Sequence, residues 1–91
     1  MSTVRIPPVL RSHTGGEREI ETSGGTVGDA LADLVERYPS MKSQLFDNET
    51  LQRYVNVYLN NQDIQYMDKL QTPVQDNDTI IILPAMAGGV R

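Results

Sequence analysis

The sequence predicts an α+β domain in which a mixed β-sheet wraps over one main helix. Three observations lead to this prediction: two short strand-like segments around a glycine-rich turn at the start, one strongly amphipathic helical segment after them, and two apolar strand-like segments in the second half. A hairpin, a helix and returning strands in this order are the β-grasp (ubiquitin-like) plan. Ninety-one residues limit the chain to a single domain with one modest core.

The predicted opening hairpin joins residues 3–10, where apolar and polar side chains alternate, to residues 17–22, a polar strand with Ile20 inward. The glycine-rich turn between them predicts a loop of about four to six residues. Pro7 and Pro8 remove two backbone donors. We therefore expect the first strand to be bulged there or paired on one side only.

The clearest helix starts after Thr26, a good N-cap residue, and carries Asp29 near its positive end. Pro39 stops it. Its apolar side chains recur every three or four residues and form one stripe that we assign to the core, namely Val27, Ala30, Leu31, Leu34, Val35 and Tyr38.

The segment after this helix is expected to hold one more helical turn around Met41, Leu45 and Phe46. A strand with strict alternation follows at residues 54–59, and its inward side chains are Val55, Val57 and Leu59. Ile64 and Tyr66 are predicted to belong to a short edge segment.

The last predicted strand covers residues 79–83, which include four consecutive apolar side chains. If Ile80 and Ile82 point to the core, then Ile81 and Leu83 point outward. Tyr58 of the preceding strand points to the same side. We predict that Tyr58, Ile81 and Leu83 form an interface for a partner protein. Single apolar residues are common on protein surfaces, whereas three on one face are typical of an interface.

Composition excludes several classes of function. The net charge is −4 and the basic residues never form a run, which disfavours nucleic acid as a partner. No segment approaches the roughly 20 apolar residues of a membrane span, and no signal-peptide core follows the first residues. Cysteine is absent, which excludes disulfides and thiolate zinc sites. We expect a soluble cytoplasmic protein that does not bind membranes.

No catalytic or metal-binding constellation is visible in the domain. His13 is the only histidine and lies in a glycine-rich turn, without a nucleophile beside it in the sequence. Asp76 and Asp78 have the spacing of a turn and lack the twelve-residue pattern of a calcium loop. The glycine pairs match no phosphate-binding fingerprint. We predict no catalytic residue, no metal site and no bound cofactor.

The C-terminal segment is the most informative part of the sequence. Pro84 is expected to end the last strand, which divides the chain into a β-grasp domain at residues 1–84 and a flexible tail at residues 85–91. Ala87, Gly88 and Gly89 are small and uncharged, and two residues without Cβ let the backbone approach a reactive centre closely. The tail is therefore predicted to enter a narrow channel of a partner.

Three segments resemble a known family, and together they span nearly the whole chain: IPPVLRSHTGG at residues 6–16, VNVYLN at 55–60 and DNDTIIILPAMAGG at 76–89. The chain resembles the ThiS/MoaD family of ubiquitin-like sulfur carriers, in particular its CysO type, which serves cysteine synthesis. The resemblance implies that an E1-like (MoeB/ThiF-type) adenylyltransferase uses ATP to adenylate the carboxylate of Gly89. Sulfur then displaces AMP, and the resulting thiocarboxylate donates sulfide to a sulfur-accepting synthase.

The sequence departs from the family pattern after the second glycine. Members usually end there, whereas Val90 and Arg91 follow Gly89 in this chain. The resemblance implies a precursor that a JAMM-type metalloprotease cuts between Gly89 and Val90. Three other interpretations stay open: the small subunit of molybdopterin synthase, a modifier joined to lysines of other proteins, and a β-grasp interaction module that carries no sulfur.

Overall fold

The computed structural model describes residues 1–48 and 50–84, the last of them through its backbone alone. Short 3-10 helices lie at Pro8–Thr14, Ile64–Tyr66 and Lys69–Gln71. The strands and α-helices follow in the order β1 (Ser2–Arg5), β2 (Glu19–Thr22), α1 (Val27–Arg37), α2 (Met41–Leu45), β3 (Phe46–Asp47), β4 (Thr50–Leu51), β5 (Val55–Leu59), β6 (Gln62–Asp63) and β7 (Thr79–Pro84).

Five strands form one mixed sheet in the order β2-β1-β7-β5-β6, and β3 and β4 form a separate hairpin. The β1–β7 pair is parallel, and the other strand pairs of the large sheet are antiparallel. The last strand of the chain therefore lies in the middle of the sheet. This arrangement confirms the predicted mixed sheet, including the antiparallel pairing of the first two strands.

Helix α1 covers one face of the sheet, as its apolar stripe predicts. The Thr26 hydroxyl caps the helix by accepting a hydrogen bond of 3.1 Å from the backbone N–H of Asp29. The fully buried side chains come from the helices, from the strands and from Ile6 in the first loop, and they include Val4, Ile6, Val27, Ala30, Leu31, Leu34, Met41, Leu45, Val57, Ile80 and Ile82. The predicted extra turn is confirmed as α2 at Met41–Leu45, whereas Phe46, which was expected to belong to it, begins β3.

The first strand is shorter than predicted, and the loop after it is longer. β1 ends at Arg5, so the prolines fall outside the sheet and β1 pairs with a neighbour on each side. The predictions of a bulge or one-sided pairing and of a short loop are therefore wrong. Pro8 begins a 3-10 helix instead, because the first turn of a helix needs no N–H from its residues.

Two elements in the second half also differ from the prediction. The edge segment is β6 at Gln62–Asp63, and Ile64 begins a 3-10 helix in which it is buried. Tyr66 lies in the same turn and is 82% exposed. The β3–β4 hairpin was not predicted, because each of its strands has only two residues, too few to show an alternation of apolar and polar side chains.

Strand β7 runs one residue beyond its predicted end and includes Pro84. The backbone N–H of Asn60 donates to the carbonyl of Thr79 over 2.7 Å, so these two residues are a hydrogen-bonded pair. Hydrogen-bonded and non-hydrogen-bonded pairs alternate along an antiparallel ladder. Val55 and Pro84 are thus a non-bonded pair. The missing N–H of Pro84 costs no bond between β5 and β7.

Candidate functional site

The side chains of β7 alternate between the two faces of the sheet, as predicted. Ile80 and Ile82 are 0% and 1% exposed against α1. On the opposite, outer face Leu83 is 45% exposed and Ile81 is half-buried. The predicted direction of the side chains of this strand is therefore confirmed.

The sheet register brings the three predicted interface residues together. Tyr58 on β5 is the direct cross-strand partner of Ile81, and Leu83 follows two residues later on the same face of β7, opposite Asn56. Directly opposite side chains lie about 5 Å apart at their Cβ atoms, and diagonal neighbours such as Tyr58 and Leu83 lie about 7–8 Å apart, within reach of large side chains. Tyr58, Ile81 and Leu83 thus form one apolar surface, called the apolar patch below. Its role as a partner interface stays a prediction.

The beginning of β7 is held by a polar network that fixes the register. The Asn60 amide nitrogen donates to an Asp78 carboxylate oxygen at 3.2 Å, and the Asn60 amide oxygen accepts from the backbone N–H of Thr79 at 3.0 Å. The other Asp78 oxygen accepts from the N–H of Gln75 at 2.9 Å. Asp78 therefore acts as a turn residue, as its spacing predicts.

Asp76 and three glutamates near β2 are exposed. Asp76 lies 3.0 Å from the amino group of Met1, and both groups are exposed. Glu17, Glu19 and Glu21 are exposed on the side of the chain away from the core. No cluster of three or more metal-ligating side chains occurs within residues 1–48 and 50–84.

His13 has a hydroxyl partner that the sequence did not predict. Its Nδ1 atom lies 3.0 Å from Oγ of Ser40, at the start of α2. The fold therefore places beside this histidine a hydroxyl that is distant from it in the sequence. The ring shows no bond to a carboxylate in the described part of the chain, so the third group of a hydrolytic triad is not in place. The bond instead ties the first loop to α2.

Three arginines that are scattered in the sequence come together at one end of the sheet. Arg5, Arg11 and Arg18 line an open groove of about 670 Å³ together with Ile6, Glu17 and Glu19. We call it the arginine groove. Sequence reasoning missed it because the residues show no spacing of an anion-binding motif. A contact between the two ends of the first loop brings them together: the N–H of Ile6 donates to the carbonyl of Arg18 at 2.8 Å.

The predicted site residues of the tail, Ala87, Gly88, Gly89 and Val90, lie outside the described residues. The division into a domain and a flexible tail stays a prediction for the same reason. The described part of β7 does fix the end of the sheet toward which this strand runs. Since β1 and β7 are parallel, this is the end at which β1 stops and the first loop begins. None of the helices within residues 1–48 and 50–84 has the length and apolar character needed to cross a bilayer.

Comparison with known proteins gives a family for this chain. Residues 4–89 match the ThiS family. The chain is 41% identical over 90 residues to the sulfur carrier protein CysO of Mycobacterium tuberculosis (strain ATCC 25618 / H37Rv), an alignment that covers 96% of this chain and 97% of that protein.

Solved structures agree with this match. The crystal structure of the Amycolatopsis orientalis BexX/CysO complex contains a chain that is 44% identical, with a TM-score of 0.91 and coverage of 98% of this chain and 100% of that one. The solution structure of small archaeal modifier protein 1 from Methanosarcina acetivorans is 30% identical, with a TM-score of 0.87 and coverage of 97% and 95%. The chain therefore belongs to the ThiS family, as a CysO-like sulfur carrier protein with the ubiquitin-like β-grasp fold.

Proposed function

We propose that this carrier holds sulfur as a thiocarboxylate on Gly89 and donates it in the synthesis of cysteine or another sulfur-containing metabolite. The observation that carries the proposal is the extent of the family match, which runs through residue 89 and stops before Val90. The carrier catalyses no step of this cycle. It presents a carboxyl group that partner enzymes activate, load and unload.

The proposed loading cycle has two steps. A carboxylate is a poor electrophile, so a carboxylate oxygen of Gly89 first attacks the α-phosphorus of ATP and pyrophosphate leaves. The product is a mixed anhydride with AMP. A sulfide equivalent then attacks the carbonyl carbon and AMP leaves, so that one oxygen of the carboxylate is replaced by sulfur. Both steps take place on an E1-like adenylyltransferase of the MoeB/ThiF type, which binds the ATP.

A preceding hydrolysis is required in this chain. The carbonyl of Gly89 is joined to Val90 by an amide bond and offers no carboxylate to adenylate. We propose that a JAMM-type zinc metalloprotease adds water across this bond, which releases Val90-Arg91 and exposes the Gly89 carboxylate. Gly88 and Gly89 suit both reactions, since a backbone without Cβ atoms can enter a narrow channel.

The apolar patch is the proposed docking surface for these partners. It lies on the folded sheet just before the tail, so a protein that contacts Leu83 also lies beside the start of the tail. Leu83 is large, apolar and 45% exposed, which is the kind of side chain that an interface core buries. The complex of BexX with an Amycolatopsis orientalis CysO supports the view that carriers of this type dock onto folded proteins.

The test is an intact-mass measurement after loading. The chain ending at Gly89 is incubated with the E1-like adenylyltransferase of the same organism, ATP and a sulfide donor. The full-length chain and a reaction without ATP are the controls. We expect replacement of one oxygen by sulfur in the chain ending at Gly89 and in neither control. An unchanged mass in all three reactions would overturn the carrier chemistry and favour a β-grasp interaction module.

Cleavage is tested separately with the metalloprotease. The full-length chain should lose Val90-Arg91. A Val90→Pro variant should not, because proline turns the scissile bond into a tertiary amide without an N–H, which most peptidases cleave poorly. The small subunit of molybdopterin synthase remains the alternative carrier role. Its signature would be a stable complex with the large subunit of that synthase.

The 30% identity to a small archaeal modifier protein gives a specific reason to consider a second function. A modifier forms isopeptide bonds between its terminal glycine and lysines of other proteins. The same loading reaction, supplemented with cell extract, would then give larger species that contain the chain. Their formation from the chain ending at Gly89 alone would support the modifier role.

A further inference from the structure

The arginine groove adjoins the apolar patch. Arg5 on β1 is the cross-strand partner of Ile81, so a side chain of the groove and a side chain of the patch occupy neighbouring strands about 5 Å apart. The groove then continues from Arg5 onto the first loop. A protein that covers the patch and extends toward β1 meets the groove next.

The groove is a positive region on an acidic protein. It contains three arginines and two glutamates, in a chain whose net charge is −4. Only one of its arginines is neutralised within the described residues, since Arg5 pairs with Glu19 at 3.3 Å. Arg18 is exposed and pairs with no carboxylate in that part of the chain.

The loop holds one of its arginines, Arg11, in place. Arg11 is half-buried, and its Nε donates to the carbonyl of Ile6 at 3.0 Å. The buried Thr14 hydroxyl lies 2.9 Å from the carbonyl of Glu17 and 3.2 Å from that of Arg11, to which it can donate. A guanidinium that is already in place loses less conformational entropy when it binds a carboxylate.

We infer that the arginine groove is a second docking surface that receives an acidic segment of the partner protein, beside the apolar patch. This inference rests on the proposed function for the identity of the partner. Guanidinium groups pair with carboxylates in two parallel hydrogen bonds, and charge pairs at the rim of an interface orient the partners as they approach. An acidic segment that binds Arg11 and Arg18 holds the carrier with the start of its tail facing the same partner.

A nucleic acid and a small anion fit the groove less well. The net charge of the chain opposes a polyanion. A phosphate site needs donors that converge on an enclosed position, whereas this groove is open and contains two glutamates. A protein segment carries both acidic and other polar side chains, and it can meet both kinds of charge.

The test compares two charge reversals of equal size. Arg18→Glu changes the groove, and Lys42→Glu changes an exposed residue of α2 outside it. The affinity of each variant for the adenylyltransferase that loads the chain is measured by titration calorimetry at low and high salt. We expect Arg18→Glu to weaken binding about tenfold at low salt, with a reduced salt dependence, and Lys42→Glu to change it less than about twofold.

Thermal unfolding of both variants checks that each is folded, and Arg11→Lys serves as a second variant that keeps the charge but loses the paired hydrogen bonds. Equal affinities for the two charge reversals would overturn the inference. So would binding of ATP alone to the isolated chain through Arg18, which would make the groove a phosphate site.

Failure of the inference is distinguishable from failure of the proposed function. If the chain is loaded normally and both charge reversals bind equally, only the inference is wrong. If no adenylyltransferase loads the chain, the same titration uses Amycolatopsis orientalis BexX, which was solved in complex with a CysO. A tenfold loss with Arg18→Glu would then support the groove although the carrier chemistry had failed, and equal affinities would overturn both.

Discussion

The two faces of β7 carry similar residues in different environments. Ile80 and Ile82 are buried against α1, whereas Ile81 and Leu83 lie on the outer face, half-buried and 45% exposed. Burial of the inner pair stabilises the fold through the hydrophobic effect. The outer pair adds less to that, because Leu83 is 45% exposed and Ile81 is only half-buried.

This difference shows how a small domain can keep an exposed apolar surface and still fold. The central position of β7 fixes its register through neighbours on both sides, so the outward residues are held without needing a core of their own. A slip of one residue would exchange the two faces. The Asn60–Asp78 network at the start of the strand opposes such a slip.

The largest expected effect is the difference in unfolding free energy between a variant of the inner face and a variant of the outer face. Ile82→Ala removes buried atoms and leaves a cavity, so we expect the free energy of unfolding to fall by about 2–5 kcal/mol. Ile81→Ala on the outer face should cost less than about 1.5 kcal/mol, because its side chain is partly solvated already. Urea denaturation of both variants measures the difference. Equal losses would mean that the outer face is packed as tightly as the core.

Leu83→Asp tests the outer face by binding. We expect the affinity for the adenylyltransferase to fall at least about thirtyfold, the loss that defines a hot spot in an interface. The free energy of unfolding should change by less than about 1 kcal/mol, since the new carboxylate remains in water. Gln75→Asp adds the same charge in the turn before β7 and serves as the control.

Two results would contradict this assignment of Leu83. Unfolding of the variant would show that Leu83 contributes to the core. Unchanged affinity in a folded variant would show that partners bind elsewhere on the carrier, and would remove the apolar patch from the proposed function.

The elements that the sequence predicted well are those whose own residues contain the pattern. Helix α1 has the predicted cap at Thr26 and the proline after it, and four of the six stripe residues are buried. The other two, Val35 and Tyr38, are partly buried against the core. Strand β5 alternates over its five residues, and β7 contains a run of four apolar residues. The predicted direction of Leu83 depended on the assumption that Ile80 and Ile82 point inward, and the structure confirms that assumption.

The first loop could not be predicted, because distant contacts determine it. Pro7 and Pro8 indicate only that a regular strand is interrupted. The 3-10 helix after them is held by burial of Leu10 and Thr14 and by the contact of Ile6 with Arg18. The arginine groove is a consequence of that closure, as no spacing in the sequence relates its members.

Glu19→Gln gives the smallest expected effect and tests how the two proposed docking surfaces are related. The Arg5–Glu19 pair is exposed, with more than half of each side chain accessible, so its loss should lower the free energy of unfolding by less than about 1 kcal/mol. The same change frees Arg5, the arginine that lies next to Ile81. If an acidic segment of the partner occupies the groove, Glu19→Gln should bind the adenylyltransferase slightly more tightly, opposite in sign to Arg18→Glu, and titration calorimetry at low salt would detect it. Weaker binding by a folded Glu19→Gln variant would mean that the partner presents a basic group to this carboxylate. The groove would then receive no acidic segment, and the apolar patch alone would be the proposed docking surface.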